Sequence, residues 1–231
     1  DAGEDLNIQG SYLGAANDVI LSAEDVNITA SKNKGQMDNK TSYNSQTIGF
    51  STASGIIGGA SMSESSANST STTYTNSQLE AGKRFVVNAR GDMKVAGGNV
   101  KATDVDMDID GDLIVTSLQN TNNSQNESKN ASVNIGVGVA ASGGYSQGES
   151  SSNWVDNQSS IVGTGSVNIQ ADKLTNTGAV IANIDEDGKD AGNMSVAVNE
   201  FVYTDIKDEN TNDNTGINLG VGGGKTTVGY S

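Results

Sequence analysis

Five aspartates alternate with aliphatic residues in one short stretch and are the most obvious candidates for chemistry. They are Asp104, Asp106, Asp108, Asp110 and Asp112. In a β-strand these carboxylates would point to one side, because successive side chains face opposite sides of the sheet. Clustered carboxylates suit hard cations such as Ca²⁺, so one interpretation is a cation ladder. The alternative is a solvated outer face whose charges discourage aggregation. The sequence lacks the EF-hand and glycine-rich nonapeptide motifs, which favours the solvated face.

Paired carboxylates also cleave glycosidic bonds as general acid and base, so a carbohydrate-active enzyme on a β-helix is another hypothesis. A sugar cleft needs aromatic platforms. The segments predicted below to form the coils of a solenoid contain only four aromatic rings for this role, those of Tyr12, Phe85, Phe201 and Tyr203. Histidine and cysteine are absent, which excludes Ser-His-Asp and Cys-His catalysis, His/Cys zinc sites and disulfides. We therefore expect no enzyme activity, no catalytic residues, no cofactor and no metal site.

The tripeptide Arg90-Gly91-Asp92 matches an integrin-type recognition sequence, which would need both charged side chains on an exposed loop. However, Gly-Asp recurs at Gly111-Asp112, and Glu4-Asp5 takes the equivalent place near the N-terminus. An internal repeat thus accounts for Gly91 and Asp92 of the tripeptide. Gly-Asp pairs are also typical of turns. The turn interpretation is favoured, and the tripeptide is kept as an interaction candidate.

Three apolar islands lie within Ser- and Asn-rich segments and are the main interaction candidates. They comprise Ile48 and Phe50, then Ile135, Val137 and Val139, and finally Leu219 and Val221. Alternation of this kind is typical of a strand with one apolar face. Such a face would either lie along the coils, which is favoured, or contact a membrane or a partner. Tyr145 and Trp154 share a segment with the second island, and tryptophan is often an interfacial anchor.

Short period-two bursts separated by Gly, Asn and Asp surround these segments and indicate strands and turns. The pairs Gly91-Asp92 and Gly111-Asp112 are 20 positions apart, which predicts the coils of a solenoid. The islands recur at offsets of 87 and 84, so a longer repeat contains about two coils and one excursion. The predicted coils are 1–31, 78–118 and 161–206, and the predicted hairpin-like excursions are 32–77, 119–160 and the start of a third at 207–231.

Composition favours a narrow solenoid over a spherical core. Only 34% of residues are hydrophobic and 4% are aromatic, 29 glycines supply turns, and proline is absent, so nothing interrupts a ladder. The net charge of −15 disfavours nucleic acid and anionic lipid as partners. The sequence contains neither a signal peptide nor an apolar run of membrane-spanning length. We expect the chain to be a single repeat-solenoid fragment of a longer protein.

Three sequence segments of the predicted coils, GEDLNIQGS, GDMKVAGGNV and GDLIVTS, together with the excursions, resemble the haemagglutinin repeats of filamentous-haemagglutinin-type exoproteins. Two-partner systems secrete this group, which includes the contact-dependent growth inhibition effectors. The resemblance extends over essentially the whole chain. It implies an all-β fold, a right-handed parallel β-helix with extruded excursions. It also implies export across a Gram-negative outer membrane by a two-partner secretion transporter, to the cell surface or the medium.

Two non-catalytic functions follow from this resemblance. The first is the repeat shaft of a contact-dependent inhibition effector, whose repeats support toxin delivery into target bacteria and whose excursions contact the outer membrane. The second is an adhesin shaft that binds host or bacterial surfaces without toxin cargo. In both cases the expected partners are the transporter and a target-cell or host surface, and nucleic acid is not a partner.

Overall fold

The computed structural model of the protein describes residues 2–185, 187–223 and 225–230. The chain divides into two compact units. The first contains Asp1–Asn33, Thr72–Asn120 and Trp154–Asp208, and the second contains Lys34–Ser71, Thr121–Asn153 and Glu209–Ser231. Within the part of the chain that the structure describes, no helix is long and apolar enough to cross a membrane.

Both units are built from β-strands. In chain order these are β1 (Leu6–Gln9), β2 (Tyr12–Ala15), β3 (Val19–Ala23), β4 (Val26–Thr29), β5 (Ser31–Ser51), β6 (Gly55–Thr75), β7 (Ser77–Ala81), β8 (Arg84–Ala89), β9 (Met93–Ala96), β10 (Gly98–Ile109), β11 (Asp112–Thr116), β12 (Asn120–Ile135), β13 (Val139–Trp154), β14 (Ser160–Thr177), β15 (Val180–Asn183), β16 (Met194–Thr204), β17 (Glu209–Gly222) and β18 (Lys225–Tyr230).

Twelve strands form one parallel sheet. Within this sheet the paired strands form three ladders, and the chain passes through the three ladders in a constant order. One ladder pairs β1, β4, β9 and β11 with the C-terminal parts of β14 and β16. The second pairs β2, β7 and β15 with the N-terminal parts of β10 and β14. The third pairs β3 and β8 with the remaining parts of β10, β14 and β16. The parallel sheet is therefore curled, and the predicted all-β class and parallel pairing are confirmed.

Aliphatic side chains at alternate positions form the core of this sheet. Val26, Met93 and Leu113 are in register on adjacent strands, and all three are fully buried. Phe85 and Val105 stack in the same way in the third ladder. The period-two pattern arises because every second side chain of a strand points inward. Full burial of each large aliphatic side chain contributes about 1.5–3 kcal/mol to folding.

Apolar side chains on the outermost strands of the ladders are exposed although their pattern is the same. Leu13, Met194 and Val196 are between 37% and 44% exposed. They lie on β2 and β16, each of which pairs with one other described strand. Their side chains therefore lack the second covering strand that buries the equivalent residues elsewhere in each ladder.

Buried serines mark the places where the chain re-enters the parallel sheet. The Ser77 hydroxyl donates to the carbonyl of Thr29 at 2.7 Å. The Ser159 hydroxyl donates to the carbonyl of Thr116 at 2.6 Å and accepts the amide of Gly97 at 2.9 Å. A buried polar group without a partner costs about 1–3 kcal/mol, so these bonds fix the junctions between coils and excursions.

The other six strands form a second sheet in the order β18-β17-β13-β12-β6-β5. Strands joined by such short loops pair antiparallel, so β5/β6, β12/β13 and β17/β18 are three consecutive hairpins. The neighbouring hairpins also pair antiparallel across β13 and β17. The first strands begin at Ser31, Asn120 and Glu209, so the hairpins recur every 89 residues. The second sheet is therefore assembled from successive copies of the long repeat.

Candidate interaction surface on the hairpin sheet

One side of the third hairpin is apolar and continuous with the second hairpin. Tyr145 on β13 lies opposite Ile217 on β17, which lies opposite Tyr230 on β18. Leu219, two residues further along β17, lies opposite Val228. Residues two apart on a strand face the same side, so these five side chains share one side of the sheet.

The first strand of the second hairpin adds to the same side. Lys129 on β12 lies with its ammonium 5.8 Å from the centroid of the Tyr145 ring. This contact places Lys129 and Tyr145 on one face. Because side chains alternate, Val133 and Ile135 share that face as well.

The strand β6 continues the apolar side into the first hairpin. A Cβ added at Gly59 would lie 2.7 Å from Oδ1 of Asn134 on β12, so these two positions share the opposite, polar side. Ile56 and Met62 alternate with Gly59 and therefore share the face of Val133.

The edge strand β5 follows the same rule. The Lys40 ammonium lies 2.5 Å from Oε1 of Glu64 on β6, so even-numbered positions of both strands share a face. Ile48 and Phe50 on β5 therefore lie on the side of Ile56. The apolar islands of all three hairpins thus lie on one side of the sheet, whereas Met37, Tyr43 and Ile57 lie on the other side by the same rule.

We call this surface the apolar face. Its large residues are Ile48, Phe50, Ile56, Met62, Val133, Ile135, Val139, Tyr145, Ile217, Leu219, Val221, Val228 and Tyr230. Their exposed fractions range from 41% to 86%. Exposed apolar patches of several hundred Å² are often functional, so the apolar face is the candidate interaction surface.

Charged residues on the same side border the apolar face. Lys40 pairs with Glu64 on neighbouring strands, and Lys129 pairs with Glu127. The hydrogen bond from Lys40 holds the pKa of the Glu64 carboxyl below its usual value. The hydrogen bond to Glu127 raises the pKa of Lys129. The border of the apolar face therefore carries both signs of charge.

The opposite side of the hairpin sheet is mainly Ser, Asn and Thr, and glycines make it flat. A Cβ added at Gly148 would overlap Oδ1 of Asn126 and Oδ1 of Asn214. Gly144 lies between Asn130 and Asn218 in the same way. The hairpin sheet is therefore amphipathic.

Most of the interaction candidates from the islands lie together on the apolar face, where their interaction role stays a prediction. The face collects Ile48, Phe50, Ile135, Val139, Tyr145, Leu219 and Val221. Val137 lies in the loop between β12 and β13 and is 91% exposed. Trp154 is the last residue of β13, half-buried at the opposite end of that strand from the loop. Six further residues of the apolar face were not among the interaction candidates, although three of them, Ile56, Val133 and Ile217, lie within the islands; the six are Ile56, Met62, Val133, Ile217, Val228 and Tyr230.

The charged groups of the integrin-type tripeptide are bonded within the coils. Arg90 Nε donates to Oε2 of Glu24 at 3.1 Å. The Asp92 amide donates to Oδ1 of Asp25 at 2.8 Å, and Oδ1 of Asp92 accepts the Asp112 amide at 2.8 Å. Each turn aspartate thus caps the amide of the equivalent aspartate on the neighbouring strand. This geometry accords with the turn interpretation.

The stacking of these aspartate turns also explains why glycine precedes two of the aspartates. A Cβ at Gly91 would overlap Oδ1 of Asp25, and one at Gly111 would overlap Oδ1 of Asp92. Glycine at these positions lets each carboxylate reach the next turn. The Gly-Asp repeat is therefore a structural signature of stacked turns.

The variant Asp92→Ala is expected to lower the free energy of unfolding by about 1 kcal/mol, because the Asp112 amide loses its acceptor. Asp92→Asn keeps an acceptor oxygen at the same place and should lose less than half of that amount. Urea unfolding of the two variants measures the difference. Equal losses would show that the carboxylate charge, and not the cap, is what matters.

Two of the three aspartates on β10 accept hydrogen bonds from side chains on β14. Oδ1 of Asp104 accepts the Ser166 hydroxyl at 2.8 Å, and Oδ1 of Asp106 accepts the Asn168 amide at 2.9 Å. Among the described residues, no three or more His, Cys, Asp or Glu side chains are placed to share a metal ion. Asp104 and Asp106 are thus hydrogen-bond acceptors on the outer face of β10.

An ion pair lies beside these aspartates. Arg84 donates to Oδ2 of Asp18 at 2.7 Å. This hydrogen bond is the main cause that lowers the pKa of Asp18 and raises the pKa of Arg84, and the charges of Asp104 and Asp106 add to the second shift. The outer face of the third ladder thus carries one ion pair and side-chain hydrogen bonds between neighbouring strands.

Comparison with known proteins gives a consistent result. Residues 1–133 match the family model described as hemagglutinin repeat. The chain is 29% identical over 126 residues to the protein named Toxin CdiA from Escherichia coli, and 26% identical over 125 residues to the protein named tRNA nuclease CdiA from Yersinia mollaretii. These matches cover 51% and 52% of the chain but only 4% of each relative. No solved structure matches the chain.

Proposed function

Because this chain belongs to the hemagglutinin repeat family, we propose that it is a non-catalytic part of the repeat shaft of a contact-dependent inhibition effector. A two-partner secretion transporter exports the parent protein across the outer membrane of a Gram-negative bacterium. The parent is displayed at the cell surface or secreted. Its repeats support the delivery of a toxin into a target bacterium.

The shaft in this proposal is a right-handed parallel β-helix. The observation that supports it is the constant order in which the chain visits the three ladders of the parallel sheet. Parallel strands joined through a crossover are right-handed in about 98% of cases. The stacked aspartate turns and the inward aliphatic rows recur once per coil, as a helix of this kind requires.

The match to the two CdiA relatives is the single observation that carries the effector assignment. One relative is named a toxin and the other a tRNA nuclease, and the matched region is a small part of each. We therefore assign the named activities to the whole relatives, and we assign support of delivery to the repeats. The bonded outer face of β10 supports a shaft without catalytic residues.

The hairpins supply the interaction surface in this proposal. Coils bury their aliphatic side chains, whereas the three hairpins expose thirteen large apolar residues on one side of their sheet. The same surface favours the second candidate function, an adhesin shaft that binds a host or bacterial surface without toxin cargo.

The test uses the full-length parent with the segment equivalent to residues 1–231 deleted in frame. Target-cell binding and target-cell killing are scored in one co-culture, with surface display checked by antibody. Loss of killing with binding intact is the result we expect. Loss of binding at normal display would assign the segment to adhesion, and no change in either would reduce it to a spacer.

A further inference from the structure

The apolar face is large for a surface left in water. Thirteen large apolar residues and five small ones share it. Each position on one side of a sheet occupies about 33 Å², so the whole face covers roughly 600 Å². That is the upper end of the patches found on soluble monomers, at about 300–600 Å². Two such faces together supply about 1,200 Å², which is the lower end of a stable protein–protein interface.

The alternation of large and small side chains on the apolar face would allow a second sheet to pack against it. Small residues lie between the large ones: Gly58, Ala60, Ala131, Ala141 and Gly143. In register, Gly143 lies opposite Leu219 and Ala141 lies opposite Val221. Large and small side chains that alternate in this way form ridges and hollows. Two sheets that pack face to face interdigitate through such ridges and hollows.

The charges around the apolar face suit a second copy of the same chain. The border holds the pairs Lys40–Glu64 and Lys129–Glu127, so it presents both signs side by side. A two-fold axis brings the same patch of both copies together, and a border of mixed sign is complementary to itself under that operation. An anionic lipid surface is a poorer partner for a chain with a net charge of −15.

We infer that the apolar face of the hairpin sheet packs against the same face of a second copy of the chain. The two sheets form a sandwich with a separation of about 10 Å. Large residues of each copy fill the hollows of the other, and the bordering lysines meet the glutamates of the partner copy. This inference goes beyond the proposed function and does not depend on it.

A charge-insertion pair tests the inference in the 231-residue chain. Val133→Lys with Leu219→Lys places two ammonium groups on the apolar face. Asn134→Lys with Asn218→Lys adds the same charge on the polar side, at neighbouring exposed positions. Sedimentation velocity over a concentration series should show a dimer for the unsubstituted chain and for the Asn134→Lys/Asn218→Lys control. The dimer dissociation constant of the Val133→Lys/Leu219→Lys variant should be at least tenfold higher, which corresponds to about 1.4 kcal/mol. A monomeric unsubstituted chain, or equal dimerisation of all three proteins, would overturn the inference.

Thiol protection provides a second test that leaves the rest of the surface intact. The chain has no cysteine, so Val133→Cys and Asn134→Cys each create a unique thiol. The thiol of the Val133→Cys variant should react slowly with a maleimide at high protein concentration and rapidly on dilution. The thiol of the Asn134→Cys variant, on the polar side, should react rapidly throughout.

Three results of this labelling would each overturn the inference. Rapid labelling of the Val133→Cys variant at every concentration would show a free face. Protection of its thiol in the monomer would show a face covered within one chain. Protection only with neutral phosphatidylcholine vesicles would assign the face to lipid.

Discussion

Replacing Phe85 with alanine is expected to lower the free energy of unfolding by about 3–5 kcal/mol. Phe85 is fully buried on β8, in register between Val19 on β3 and Val105 on β10. Removal of its ring leaves a cavity between these strands, and the continuous backbone ladders on both sides prevent the walls from closing it. The lost burial and the cavity both destabilise the stack of coils.

The other two phenylalanines of the chain provide the controls. Phe50 is 85% exposed on the hairpin sheet and Phe201 is 57% exposed on β16. At concentrations at which the chain is monomeric, Phe50→Ala should change the free energy of unfolding by no more than about 0.5 kcal/mol, and Phe201→Ala should fall between the two. Urea unfolding followed by the fluorescence of the single tryptophan, Trp154, measures all three. Equal effects for Phe85 and Phe50 would contradict the assignment of the core to the curled sheet.

Substitution of Gly97 by alanine is the second change with a large expected effect. Gly97 connects β9 to β10 with a φ of 73°, a conformation that costs an alanine about 1–2 kcal/mol. Its new Cβ would also lie 2.5 Å from Cβ of Ala30 and 3.0 Å from Cδ1 of Leu118. Strain and overlap together should destabilise the protein by about 3 kcal/mol or more.

Gly55 separates these two causes. It has a φ of 74° at the loop of the first hairpin, and no atom of the described residues lies within 4 Å of an added Cβ. Gly55→Ala therefore carries the backbone strain without the overlap, and should cost only about 1–2 kcal/mol. Thermal or urea unfolding of both variants gives the comparison. If Gly97→Ala lowers the free energy of unfolding no more than Gly55→Ala does, then Ala30 and Leu118 leave room for a side chain at position 97.

The curled sheet was predictable because its signals are local. Alternation such as that of Val105, Met107 and Ile109 reflects the two sides of one strand, and the structure buries all three. The Gly-Asp turns recur because each carboxylate at Asp25 and Asp92 caps the next strand. These features repeat within about one coil, so a single sequence displays them. The family resemblance was predictable for the same reason, and the match to the hemagglutinin repeat model confirms it.

The apolar face was only partly predictable because it depends on long-range register. The opposition of Tyr145 to Ile217 joins residues that are far apart in the chain and belong to different hairpins. No local pattern states which side of β6 will meet which side of β12. Sequence reasoning therefore does not assign Ile56 and Met62 to the apolar face, and it groups Trp154 with an island from which the full length of β13 separates it.

The most direct test of the central claim is to remove the first two hairpins and keep the coils. In the full-length parent, the segments equivalent to Lys34–Ser71 and Thr121–Asn153 are each replaced by a short Gly-Asn turn. The strands on either side of each segment are paired at the base of the hairpin, so a tight turn can close them. The account predicts normal display, normal target binding and loss of killing. Killing at the parental level, with the hairpins absent, would contradict it.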